Sequence, residues 1–305
     1  MRTQRDRSFS ALRSRWSEFV VETIVRVLGF STIGFVTLIF VFLLREGLPI
    51  FLEIPPGDLL RTRWYPTFGL FGVMPLLLGS VLVTLTAMAV ALPLGVATAV
   101  FVREVAPTWA RNILKPMIEV LAGIPSVVLG FLGMTVVTPL VSTVLDVPTG
   151  LTALSGAVIL AYMALPTIIS VAEDALDAVP TSYRDAALAM GATQWQTIWR
   201  VVVPAARSGM VTAVMLGMGR AIGETMAVMM VTGNAARMPL SADSLLRPVR
   251  TMTATIAAEM GEVAQGSTHY HALFAIGIIL FALAFLINLV AASAMFKRRP
   301  RGGLR

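Results

Sequence analysis

Residues 173–207 read EDALDAVPTSYRDAALAMGATQWQTIWRVVVPAAR, a polar segment set between two long apolar runs. It opens with acidic, helix-compatible residues and breaks at Pro180. The pattern then predicts a helix that restarts with Thr181 or Ser182 as N-cap and carries Asp185 in its first turn, where a carboxylate meets the positive end of the helix dipole. Ala186, Ala187 and Leu188 favour helix. Gly191 permits a turn that bulkier residues resist, and Thr193 is placed to cap a second helix carrying Trp195, Ile198 and Trp199. The small residues before the glycine let another surface approach closely. From the residues alone two readings stand: a docking element lying along a membrane for a cytoplasmic partner, or an interfacial loop without one.

The flanking sequence sets the solvent. Of 305 residues, 56% are hydrophobic and only 13% charged, with a mean hydropathy of +0.81. Soluble domains carry about 25% charged residues, so the composition predicts a polytopic membrane protein. Apolar runs lie at 27–44, about 71–102, 120–145, 147–172, 208–236 and 272–296. A helix crossing a ~30 Å hydrocarbon core needs about 20 apolar residues. Six spans are therefore expected. With both termini cytoplasmic, the inner segments hold seventeen of the 24 Lys and Arg, and the outer ones hold six: Arg45, Arg61, Arg63, Arg237, Arg247 and Arg250. That bias is the positive-inside pattern, and it explains the net charge of +7 without nucleic acid. The first run ends in Arg45-Glu46 with no small-residue cleavage site, so it reads as an anchor rather than a signal peptide. Residues 8–25 mix Arg, Trp and aliphatic side chains, which suits an interfacial helix or a disordered basic tail.

Several chemistries drop out. With no cysteine there is no disulfide framework and no thiolate metal site. The two lysines, Lys115 and Lys297, do not end a phosphate-cradling GxxxxGK[ST] loop. Gly217, Gly219 and Gly223 have the wrong spacing for a dinucleotide fingerprint and better suit close helix packing. His269 and His271 are two residues apart, hence on different helix faces, with no neighbouring Cys or acid to complete a metal set; they read as interfacial residues beside Tyr270. Neither a Gly-x-Ser-x-Gly element nor an HExxH pair is present to support an intramembrane hydrolase.

One pair of charges resists the apolar pattern. Residues 217–228, GMGRAIGETMAV, put Arg220 and Glu224 near the centre of a 29-residue stretch otherwise free of charge. A charge there costs about 2.5–3.5 kcal/mol on insertion scales. If the helix runs through, Glu224 projects about 40° from Arg220 on the same face and can pair with it.

The spacing DAA-x3-Gly-x9-Val-x-Val-Pro, from Asp185 to Pro204, resembles the EAA motif of binding-protein-dependent ABC importer permeases. Asp185 stands for the usual Glu, and Val201 and Val203 for Ile and Leu, which keeps charge and apolar character. Residues 119–133, EVLAGIPSVVLGFLG, resemble a signature of the phosphate-specific permeases. GRAIGETMAVMMVTGN (219–234), TMTATIAAEMGEV (251–263) and HYHALFAIG (269–277) resemble the PstC-type subunits of that family. The resemblance runs from about Phe71 to the C-terminal tail.

The resemblance implies an all-α integral membrane protein of the type I ABC importer permease fold. Its parts would be a tail at 1–26, an anchor at 27–44, a periplasmic loop at 45–70, a five-helix core at 71–296 and a basic tail at 297–305. Within the core, a coupling loop at about 173–207 would meet an ATPase through Asp185, Ala186, Ala187, Gly191 and Pro204. Arg220, Glu224, Thr225 and Ser126 would lie on the substrate pathway, with Thr251 a further candidate, and helices broken at Pro125, Pro139 and Pro166 would fit such a pathway. Arg220 is read either as an anion-pathway group or as half of a buried lock, and Glu224 either as a transport residue or as the group that makes Arg220 tolerable. Expected partners are a PstA-like permease in a heterodimer, a PstB-like ATPase dimer that binds the ATP and Mg, a periplasmic or lipid-anchored phosphate-binding protein, and lipid. This chain would hold no cofactor and sit in the bacterial inner membrane. The rival functions are a permease for another oxyanion, such as molybdate or sulfate, and an intramembrane enzyme using His269 or His271.

Overall fold

The computed structural model describes residues 3–241 and 243–296; the basic tail at 297–305 lies outside them. Helix α1, Thr3–Gly47, runs without a break through both the expected tail and the anchor. From Phe19 to Phe42 most of its large apolar side chains are exposed, as suits a helix in lipid, while Phe40 is half-buried against Phe281. Short helices α2 (Ile50–Glu53) and α3 (Pro56–Leu59) lead into a two-residue hairpin. Its strands, β1 (Trp64–Tyr65) and β2 (Leu70–Phe71), pair antiparallel with Trp64 opposite Phe71.

The core opens with α4, Met74–Val100, which widens at its end into a π-helical turn, Phe101–Val105, closed by Ala106 N–H on the Phe101 carbonyl at 2.8 Å. Next come α5 (Thr108–Ala122), α6 (Ser126–Leu132), a second π-turn (Gly133–Val137) and α7 (Thr138–Leu145). Helix α8 (Ala153–Asp177) starts on a capping Thr152, whose side chain accepts from Ser155 N–H. The polar segment forms α9 (Thr181–Ala189), α10 (Gln194–Thr197), a third π-turn (Ile198–Val202) and α11 (Val203–Ala205). Then follow α12 (Arg207–Gly223), α13 (Met226–Val231), α14 (Met252–Glu259) and α15 (Thr268–Phe296).

Five described stretches are long and apolar enough to cross a membrane: Phe19–Glu53, Met74–Val105, Ser126–Leu145, Ala153–Asp177 and Thr268–Val290. Gln194–Ala205 and Arg207–Gly223, which meet at 70°, add a sixth when the bent pair is counted as one broken span. The described residues thus carry five to six spans against the expected six. Of the three prolines expected to break helices, only Pro125 sits at a break. Pro139 falls in the first turn of α7, where its missing N–H is harmless, and Pro166 is carried inside continuous α8.

Lipid tails are as apolar as leucine, so helices here associate by close packing rather than by escape from water. The centre obeys that rule. Ala87 and Ala91 of α4, with Ala157, Ala161, Ala164 and Ile168 of α8, are buried in one cluster that also takes in Ala221 of α12. Gly217 admits Ile168 so closely that a methyl group there would lie 2.5 Å from it. Gly219 and Gly223, by contrast, face open space, so only Gly217 of the three serves packing within the chain. A second cluster caps the outer end, joining Trp64, Phe71 and Leu76 to Met252, Leu273 and Ile276.

Candidate functional site

Two places hold the expected residues. The first is a junction of two broken helices. Helix α12 stops at Gly223, and Glu224 is extended (φ −70°, ψ 130°) before α13 begins. The break is held from outside the segment: Thr253 Oγ1 donates to the Glu224 carbonyl at 3.0 Å. The second break, at 123–125, separates α5 from α6. The helices beyond the breaks press together, since a methyl group on Gly130 of α6 would stand 2.8 Å from Ala227 Cα of α13.

This geometry overturns the expected Arg220–Glu224 pair, which required an unbroken helix. The Glu224 carboxylate turns to its own chain, and Oε1 accepts from the N–H groups of Thr225 (3.1 Å) and Ala227 (3.3 Å), serving the start of α13 as a cap. Arg220 turns the other way. Its Nη1 donates to Thr167 Oγ1 at 3.3 Å, and its Nη2 donates to the Ala122 carbonyl at 3.4 Å, at the end of α5. Arg220 is also in the last turn of its own helix. Two helix C-termini, each with partial negative charge, therefore surround the guanidinium in place of a carboxylate. Both bonds are long beside the roughly 2.7–2.9 Å of charge-assisted ones. Among the described residues Arg220 makes no ion pair, and its two hydrogen bonds use only part of its five N–H donors.

Ser126 opens α6 four residues beyond Ala122 and is half-buried, so the fold brings it to the same junction. Thr225 is half-buried at the break, its hydroxyl donating to the Gly223 carbonyl at 3.3 Å. Thr251 does another job: it caps α14 by accepting from Ala254 N–H at 3.3 Å.

The second place is the polar segment. Gly191 adopts φ +82°, the left-handed conformation that favours glycine, and Thr193 with Gln196 forms a reciprocal capping box. Both follow the sequence pattern. The start of α9 does not. Pro180 occupies the N-cap position, Thr181 is the first helical residue, and no side chain caps that end, which moves Asp185 out of the first turn. The fixed φ of proline already sets the chain's entry into the helix. Asp185, Ala186 and Pro204 are exposed, and Ala187 is half-buried. Around them Tyr183, Leu188, Trp195 and Trp199 are exposed, and Met190 is 88% exposed.

Sequence reading missed what holds this segment. Arg184 forks onto Glu104 in the first π-turn, with Nη2 to Oε1 at 2.6 Å and Nε to Oε2 at 3.2 Å, and it also donates to the carbonyls of Val179 (2.7 Å) and Leu176 (3.0 Å). The side chains are only 17% and 9% exposed. The Glu104 hydrogen bond holds the Arg184 guanidinium above the usual arginine range. Other elements grip the same turn. Arg111 of α5 donates to the carbonyls of Val102 (3.0 Å) and Arg103, Arg103 pairs with Asp177 of α8, and Gln194 of α10 donates to the Glu104 carbonyl at 3.4 Å. Partners 80 residues apart leave no local signal.

The histidines serve the outer cap. Glu259 meets Arg250 at 2.7 Å, His269 Nε2 at 2.8 Å and Trp64 Nε1 at 3.2 Å, while His271 Nδ1 lies 2.7 Å from the Glu46 carbonyl. Among the described residues no group of three or more His, Cys, Asp or Glu is arranged for a metal ion.

A bundle with two broken helices and an exposed helix–turn–helix at one end invites comparison with transport proteins. The family described as binding-protein-dependent transport system inner membrane component matches residues 91–301. The chain belongs to that family. Relatives of this permease include the probable ABC transporter permease protein YqgH of Bacillus subtilis, 40% identical over 264 residues, which cover 85% of this chain and 84% of that one. The phosphate transport system permease protein PstC of Mesorhizobium japonicum is 37% identical over 259 residues, 79% and 78% of the two chains. Among solved structures, a bacterial ABC transporter involved in alginate import superposes with a TM-score of 0.59 at 14% identity, covering 96% of this permease and 99% of that chain. The inward-facing MetNI methionine transporter gives 0.57 at 19% identity, covering 72% and 93%. The fold is that of the type I ABC importer permeases, and the protein is a multi-pass membrane permease component.

Proposed function

We propose that this chain is the membrane-spanning permease subunit of an ATP-driven importer of inorganic phosphate in the bacterial inner membrane. The observation that carries the reading is Arg220: a guanidinium in the last turn of α12, beside two helix breaks, with neutral acceptors only and donors to spare. At 1.5 Å per residue it lies about 20 Å along α12 from Arg207, deep in the span. A tetrahedral anion stripped of water needs such a fork of donors. Ser126 and Thr225 offer hydroxyls at the same junction, and irregular backbone is tolerated at this depth where it lines a protein cavity. Glu224, already spent on two backbone amides, keeps the break in shape rather than holding the anion. The PstC relatives support phosphate as substrate.

The expected assembly has a PstA-like permease completing the pathway and a periplasmic or lipid-anchored binding protein delivering phosphate. Two PstB-like ATPase subunits would bind ATP and Mg and dock on the exposed face around Asp185, Ala186, Ala187, Gly191 and Pro204. A second reading, a permease for another oxyanion, draws support from the YqgH relative, whose description names no substrate. Uptake of labelled phosphate by the whole complex, with sulfate and molybdate as competitors, separates the two. Phosphate uptake that neither competitor lowers is expected; uptake of molybdate or sulfate in preference to phosphate overturns the assignment.

A further inference from the structure

The turn Phe101–Val105 is an unusual place for so many contacts. A π-turn inserts one residue into the α-helical ladder and widens it, a distortion that recurs at functional sites. Here it brings Glu104 inward at the end of α4, where α5, α8, α9 and α10 all take hold of the turn. The covalent routes from the polar segment into the bundle are different: residues 178–180 lead back into α8, and the third π-turn with α11 leads on into α12, so neither reaches α4. Arg184 joins the π-turn of α4 to the foot of α8. One side of its fork is on Glu104 of the π-turn, and its other donors are on Leu176 and Val179 at the foot of α8.

We infer that Glu104 and Arg184 form a strut that makes α9 and the inner ends of α4 and α8 move as one body, so that a push on the exposed loop reaches the core through α4 as well as α8. Both are positioning residues; neither touches substrate. Three features favour a strut over a decorative surface pair. The carboxylate is nearly buried, the fork is bidentate, and the arginine's remaining bonds are to carbonyls at a helix end. Helices α4 and α8 are packed through alanines along most of their length, so a displacement at their feet is transmitted as rigid-body motion. The inference rests on the reading of 181–204 as an ATPase-docking loop. That reading fails separately if Gly191→Asp leaves ATPase co-purification and coupled transport unchanged.

The test exploits a chain with no cysteine of its own. The double variant E104C/R184C removes both charges together and strands neither. It is purified with its permease and ATPase partners, reconstituted, and assayed for phosphate transported per ATP hydrolysed. A short bis-methanethiosulfonate cross-linker then bridges the two thiols, and reductant removes it. The reduced variant should hydrolyse ATP and transport about tenfold less per ATP, and the cross-linked one should return to within about threefold of the parent. Each single cysteine variant treated with the reagent should show no such rescue. Unchanged transport per ATP in the reduced variant, or no recovery on cross-linking, overturns the strut. A second variant, E104Q/R184M, guards against a local misfit of cysteine. If neither double variant retains the ATPase, the pair is a folding element and the proposal fails.

Discussion

Two arginines, both near helix ends, are treated in opposite ways. Arg184 meets Glu104 in a short bidentate pair and adds two carbonyl partners. Arg220 has only two long bonds to neutral oxygens, although Glu224 is four residues away. The first arrangement fills the guanidinium and fixes the elements around it. The second leaves donors facing a junction of broken helices. A full complement of partners makes an arginine part of the frame, and an incomplete one leaves it able to take a ligand.

The contrast is easiest to break through stability. Arg184→Met leaves Glu104 buried without its partner, and removing one member of such a pair costs about 3–5 kcal/mol. Arg220→Met strands no carboxylate and should cost about 1 kcal/mol. Thermal unfolding of the two variants in the purified complex measures the difference, and equal losses would erase the distinction. Gly191 sharpens the account of the docking loop. Valine at φ +82° should cost about 1–2 kcal/mol and weaken ATPase retention, whereas asparagine, which visits that region readily, should be largely spared. If valine and asparagine behave alike, backbone conformation is not what the glycine supplies.

The glutamate beside Arg220 gives a smaller and more diagnostic effect. Glu224→Ala removes the acceptor for two amides and should cost about 1 kcal/mol, while Glu224→Gln keeps an acceptor oxygen and should leave both stability and uptake near normal. A collapse of uptake in the glutamine variant would restore the charge of Glu224 to the transport mechanism. Smallest of all, Thr193→Ala should lower stability by about 0.5–1 kcal/mol through loss of the capping box, with transport per ATP unchanged.

Much of the frame was legible because it rests on local rules. Apolar run lengths and Lys/Arg placement yield six spans, and Gly191 and Thr193 announce a turn and a cap. What the chain hides is long-range. The sequence Gly223-Glu224-Thr225 contains no proline, and an Arg and a Glu four apart on an apolar stretch suggest a continuous helix. Thr253, 29 residues on, holds the Glu224 carbonyl of the extended residue, and Gly130 lets α13 in. Arg184 carries no local signal, since its partner is 80 residues away and reaches it through a π-turn with no sequence signature. The start of α9 went astray for the opposite reason. Two residues there are good caps in isolation, but Pro180 had already fixed how the chain enters the helix.

The most direct test of the central claim is phosphate uptake by Arg220→Gln in a complex that still contains all its subunits. Glutamine can satisfy Thr167 or Ala122 but cannot supply a charged fork. Uptake should fall at least about tenfold, with assembly and thermal stability close to the parent. Near-normal uptake by that variant would contradict the claim and leave Arg220 as a packing residue.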